Sequence, residues 1–311
     1  MTAPLYLPRR ASRSHFLDVR GLRTHVLEWG DPAKVNAERP PLVMLHGWMD
    51  VAASFQFVVD ALQAERHVLA LDWRGFGLTA SVASADSYWY ADYLADLDAL
   101  LDIRFFNHGA AVQAVDLLGH SMGGNAAMLY AGIRPQRIRR LVNLEGFGMP
   151  VSHAAQAPKR YAQWLDELKT PMTLRPYPNL EAVARRLRKT NPLLPPERAA
   201  WLAQHWSREL ADGSRAILGD PAHKRRSPLL YQVDEVLEIW KLISAPVLWV
   251  EGDQTDIGKW WGERYTKPEF HERLNVVTKV TRHTVAPAGH MLHHDQPEQL
   301  ARLLEAFLDE A

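Results

Sequence analysis

Residues 119–123 read Gly119-His120-Ser121-Met122-Gly123, and they sit where an apolar run at 114–118 gives way to a helix-like run at 125–130. Strand, sharp turn and helix in that order make a G-x-S-x-G elbow, with the serine hydroxyl projecting from the end of a sheet. Glycine is needed on both sides because a Cβ there would strike the neighbouring strand or helix. The helix that follows points free backbone N–H groups toward any negative charge developing beside the serine. This stretch fixes both a local geometry and a candidate nucleophile, Ser121.

The surrounding pattern extends that geometry into a domain. Short β-type runs at 15–19 and 24–29 flank Arg20-Gly21, a predicted hairpin. Strands follow at 42–45, 67–71, 140–144, 246–250 and 281–286, and helices at 52–64, 88–103 and 298–308. Strands alternating with helices predict a mostly parallel sheet covered on both faces. The alternation breaks at Met149-Pro150. From 150 to 241 the chain is arginine-rich, helix-like and repeatedly interrupted by proline, which predicts several short helices with irregular joints. The expected organisation is a core of 1–149 and 242–311 with a helical cap inserted at 150–241.

Composition narrows the chemistry. Among 311 residues there is no cysteine, which excludes disulfides, thiolate catalysis and cysteine-ligated metals. Lys+Arg and Asp+Glu are equal at 36 each, so no net field draws the chain to nucleic acid or an acidic membrane. Residues 1–19 lack a signal-peptide core, and no run has the length of a membrane span. The expectation is a cytoplasmic protein, monomer or homodimer, acting on a small molecule without a cofactor. His293-His294-Asp295 is a dense run of metal-ligating types, but adjacent histidines at a helix start point in different directions, and no metal is expected there.

A serine hydroxyl needs a base to take its proton and a carboxylate to hold that base. In elbow-type enzymes the acid and histidine follow the serine in the chain. His290, in the loop between the last strand and the last helix, is the expected base. Three carboxylates stand at strand ends: Asp256 is preferred, Asp253 is second and Glu145 third. The oxyanion donors are expected to be the N–H of Met122, directly after the nucleophile, and that of Trp48, in the loop after the strand at 42–45. His46 precedes the nucleophile and is read as structuring its loop.

Four motifs give the chain a resemblance to the α/β-hydrolase superfamily over nearly its full length: Leu45-His46-Gly47-Trp48, Asp72-Trp73-Arg74-Gly75-Phe76-Gly77-Leu78-Thr79, the elbow, and Gly289-His290. The resemblance implies an α/β-hydrolase fold, with an eight-stranded sheet and the inserted cap over the site. Residues 46–55 look closest to serine-hydrolase-like members of carboxylesterase type. The acid loop, Gly252-Asp253-Gln254-Thr255-Asp256, departs from the usual G-x-x-D and resembles a variant whose final aspartate serves.

The implied activity is cleavage of carboxylic esters of small, moderately apolar substrates through an acyl-enzyme. The alternatives are a C–C bond hydrolase of diketones, using the same triad, or a non-catalytic binding protein on the same fold. Candidate pocket residues are His120, Trp164, Trp206, Trp260 and Met291, with Tyr161, Trp201, Trp240 and Trp261 also available. Two basic runs, 185–189 and 224–226, read first as solvated faces; the sharper reading turns one arginine inward onto a substrate carboxylate.

Overall fold

The computed structural model describes residues 6–82, 85–106 and 113–310; the first five residues of the 1–19 segment lie outside it. Among the described residues ten strands are present: β1 (Arg13–Val19), β2 (Leu22–Trp29), β3 (Leu42–Leu45), β4 (Val68–Leu71), β5 (Val115–His120), β6 (Ile138–Leu144), β7 (Ser207–Glu209), β8 (Arg215–Ile217), β9 (Val247–Gly252) and β10 (Val280–Val285). Eight of them form one sheet in the order β1-β2-β4-β3-β5-β6-β9-β10. β1 and β2 pair antiparallel, as do β2 and β4, and every later pairing is parallel. The parallel strands therefore bring their C-terminal ends to one edge, where β5 delivers Ser121.

The helices are α1 (Gln56–Ala61), α2 (Tyr90–Leu101), α3 (Met122–Ile133), α4 (Ala157–Leu168), α5 (Leu180–Thr190), α6 (Pro196–Trp206), α7 (Val233–Lys241), α8 (Gly258–Trp261), α9 (Lys267–Leu274), α10 (Leu292–Asp295) and α11 (Pro297–Leu308). Side chains alternate across the sheet, as a strand requires. Val43 and Leu45 join the core under α2, α3, α7 and α9, while Leu42 and Met44 join the core under α1 and α11. Every residue of β3 is buried, which explains why it reads as a continuous apolar run rather than an alternating one. Burying each such Val or Leu contributes roughly 1.5–3 kcal/mol.

The expected elements are present, with three differences, the first being that the inserted segment, expected to be helical throughout, also carries the antiparallel β7–β8 hairpin. The predicted helix at 52–64 is a 3₁₀ turn, Ala52–Phe55, followed by the short α1. Helix α7, which sequence pattern leaves inside the cap, packs on α3: Trp240 is buried in the sheet-side core, and a Cβ on Gly132 would overlap the Ile239 backbone. The inserted segment thus returns to the core before residue 233. Its outer part has a small core of its own, where Val183, Leu187, Leu194, Ala199 and Leu202 of the α5–α6 region meet Phe57 of α1. The hairpin of β7 and β8 is tied to the core by backbone: Gly77 N–H donates to Leu218 O at 3.0 Å and Asp220 N–H to Gly75 O at 2.7 Å.

Gly132→Ala should lower the free energy of unfolding by about 3 kcal/mol, because α3 and α7 must separate to admit the methyl. Gly213→Ala, at φ +80° with open space around it, should cost only about 1 kcal/mol of backbone strain. Guanidinium denaturation of the two variants checks the contrast.

Candidate active site

Ser121 adopts φ 53° and ψ −116°, a conformation that L-residues occupy only under constraint. Close backbone packing supplies that constraint. A Cβ on Gly123 would overlap the Leu45 carbonyl, and one on Gly119 would overlap the Gly123 carbonyl. The turn is fastened on its other side by Ser121 N–H, which donates to Leu144 O of β6 at 2.8 Å. With its backbone pinned between two strands and α3, the serine can only project from the sheet edge.

His290 meets it there. Its Nε2 lies 3.0 Å from Ser121 Oγ, and its Nδ1 lies 2.9 Å from Oε2 of Glu145. An ionised carboxylate only accepts, so Nδ1 carries the hydrogen and Nε2 presents its lone pair to the serine hydroxyl. The Glu145 side chain is fully buried and its other oxygen accepts from Gly252 N–H at 2.6 Å. His290 keeps 25 % of its side chain exposed, which leaves room for a reacting group.

The carboxylate beside His290 is therefore Glu145 and not the preferred Asp256. Asp256 is exposed at the start of α8, where its Oδ1 accepts from Gly258 N–H at 2.9 Å. Asp253, the second choice, is also turned away: its Oδ1 accepts from Ala288 N–H at 2.8 Å and braces the loop that carries His290. Glu145 reaches the imidazole because β6 lies directly beside β5, and its backbone turns at φ 60° to aim the side chain along the sheet edge. The sequence signal was an acid closing an apolar strand immediately before Gly146. That glycine's N–H donates to Asn143 Oδ1 at 2.9 Å and seals the turn.

The loop after β3 runs close beside the nucleophile. A Cβ on Gly47 would stand 3.2 Å from Ser121 Cβ, so only glycine lets the backbone pass without displacement. Trp48 follows, with 51 % of its surface exposed, and lines the same cavity as Ser121. Met122 opens α3, so its N–H has no partner within the helix. His46 holds this loop: its Nδ1 lies 2.7 Å from Gly47 O, and its Nε2 accepts from Trp73 N–H at 3.0 Å. Burial pushes its pKa down and favours this neutral form. Asp72 extends the bracing. It accepts from Ala52 and Leu78 N–H groups and pairs with His25, while Thr79 donates to the Asp72 carbonyl.

A cavity of about 850 Å³ opens over Ser121 and His290 between the sheet edge and the inserted segment. That volume suits a small organic ligand. His120, Trp206, Trp260 and Met291 line it as expected. Trp164 does not: its indole donates to Ser87 Oγ at 2.9 Å and packs near Trp89, ahead of α2. Trp201 and Trp240 belong to packed cores instead. The sequence missed Tyr177, Leu187 and Leu194 because an apolar or aromatic cap residue carries no mark of which way it faces. His120 Nε2–H donates to the backbone oxygen of His290 at 2.8 Å. Burial, reinforced by His293 and His290, holds its pKa well below the ordinary value.

Residues 42–303 match the family model described as alpha/beta hydrolase family. The chain belongs to the alpha/beta hydrolase family. This hydrolase is 23% identical over 214 residues to a serine hydrolase-like protein of Danio rerio, covering 67% of this chain and 63% of that protein. It is 24% identical over 291 residues to a serine hydrolase-like protein of Dictyostelium discoideum, covering 86% and 75%. The zebrafish match thus spans less than two thirds of its relative's length. Among solved structures, the thioesterase domain from the curacin biosynthetic pathway superposes with a TM-score of 0.79 at 26% identity, over 94% of this chain and 99% of that one. Among the described residues no helix is long and apolar enough to cross a membrane.

Fluorophosphonate labelling should modify Ser121 and be absent in Ser121→Ala. In Glu145→Gln the labelling rate should fall about 10³- to 10⁴-fold, because an amide no longer fixes the imidazole tautomer. Asp256→Asn should label at the wild-type rate; intact-protein mass spectrometry over time reads all three.

Proposed function

We propose that this protein is a serine hydrolase that cleaves carboxylic ester or thioester bonds through an acyl-enzyme. The observation that carries the reading is the unbroken chain from Ser121 Oγ through the two His290 nitrogens to Glu145, facing the cavity. Ser121 attacks the acyl carbonyl carbon as its proton passes to His290 Nε2. Glu145 stabilises the imidazolium that forms. The carbonyl oxygen becomes an oxyanion, held by the N–H groups of Met122 and Trp48 in low-dielectric surroundings. His290 then returns the proton to the leaving oxygen or sulfur, and water repeats the sequence on the acyl-enzyme. The likeness to a thioesterase domain supports acyl transfer to water.

The cavity wall adds a substrate feature. Arg175, Arg186 and Lys224 line it, and none of them is paired with a carboxylate among the described residues. Their neighbours Arg185 and Arg225 are instead paired with Glu181 and Asp86. Unpaired cations at the mouth of an apolar cavity favour an acyl substrate carrying a carboxylate or phosphate at its far end.

Two measurements test this reading. A p-nitrophenyl acyl ester series should be hydrolysed, with turnover abolished in Ser121→Ala; retention of turnover in that variant removes the proposal. A higher kcat/KM for vinylogous diketones than for every ester would move the assignment to C–C hydrolysis. For the anionic end, Arg186→Gln should raise KM about fivefold for an ω-carboxy acyl ester while leaving the neutral ester of equal length unchanged.

A further inference from the structure

We propose that Asp50, His293 and His294 form a binding site for a divalent first-row transition metal, of the zinc or cobalt class, at the floor of the cavity. The three side chains are 3 %, 0 % and 2 % exposed. They offer one ligand atom each, all within 4.8 Å of one another. This set differs from the run His293-His294-Asp295: Asp295 turns to accept from Gly289 N–H at 2.9 Å, and Asp50 arrives from the loop after β3 to take its place.

The groups are arranged to ligate rather than to satisfy each other. Asp50 divides its labour between its two oxygens. Oδ1 accepts from Val51 N–H at 2.9 Å, from Trp206 Nε1–H at 3.0 Å and from the Ser54 hydroxyl, while Oδ2 has no protein partner. His293 Nε2 stops 3.9 Å from that Oδ2, too far for a hydrogen bond, and neither nitrogen of His293 has a protein partner. His294 likewise leaves its Nε2 without a protein partner. A bare carboxylate oxygen and several bare imidazole nitrogens buried together are costly unless something binds them.

The chemistry of the set selects the ligand. Two imidazoles and a carboxylate suit a borderline-soft metal, not calcium or magnesium, which take oxygen. Tetrahedral ligation with bonds of about 2.1 Å brings ligand atoms to about 3.4 Å apart. The 3.9 Å separation of Asp50 and His293 closes to that value with small side-chain rotations. Entry needs no new channel, since Asp50 and His294 already line the cavity.

Position gives the site a role. Asp50 stands two residues after Trp48, and His293 three residues after His290. A metal held by both would join the loop that carries one oxyanion donor to the loop that carries the base.

The test uses metal alone, so it stands whether or not the protein cleaves esters. Protein stripped with chelator is titrated with cobalt(II) and followed by visible absorption and by thermal unfolding with zinc. The expected result is a one-to-one cobalt spectrum and a zinc-dependent rise in Tm, both lost in His293→Gln and in His294→Gln. Each variant is checked for an unchanged metal-free Tm, and His294→Gln, at the cavity wall, carries the test if His293→Gln fails to fold. No cobalt spectrum in the wild type overturns the proposal. So does a spectrum that survives both variants, or one that disappears instead in His290→Gln, which would put the metal on the catalytic base.

Discussion

Backbone crowding around the elbow governs the rest of this structure. Gly119, Gly123 and the Leu45 carbonyl pack so closely that no side chain fits between β3, β5 and α3. That contact holds Ser121 in a conformation costing about 1–3 kcal/mol, a strain that the packed core must over-determine. The same closeness brings β6 alongside, so Leu144 accepts from Ser121 N–H and the next residue, Glu145, emerges level with the serine. The nucleophile and its carboxylate are thus placed by one packing event rather than by two independent loops.

Most of the scaffold was legible from sequence because it depends on local signals. Strand β3 was read to the residue, and strands β5 and β9 to within two, since apolar runs ended by glycine or histidine leave little choice. The nucleophile and base candidates came from position: one follows a strand at an elbow, the other sits in the last strand-to-helix loop. The acid was harder. Asp253, Asp256 and Glu145 all close strands, and the choice turns on which strand lies next to β5, a non-local fact that strand order alone supplies. The cap was hardest, since helical periodicity shows that a residue is apolar but not whether it faces a cavity or a core. Trp164 and Trp206 look alike in sequence, yet one donates to Ser87 and the other to Asp50.

The histidines show how burial separates roles within one residue type. His46 and His120 are buried and kept neutral, and each spends its hydrogen bonds on holding a loop. His290 alone, of the three beside Ser121, keeps a solvent-facing edge and a carboxylate partner. Support and chemistry are divided among neighbouring imidazoles by access to water.

The ties between the β7–β8 hairpin and the loop after β4 have a wider consequence. They are main-chain bonds from Gly77 and Asp220, and the hairpin's other neighbour, Tyr177, is paired through Arg215 main-chain groups as well. On the loop side they need glycine at 75 and 77, where a Cβ would strike Tyr88 and Asp72, but on the hairpin side the bonds are made by main-chain groups. The wall above the serine can therefore exchange residues over generations, altering which molecules are admitted, while its seams stay closed.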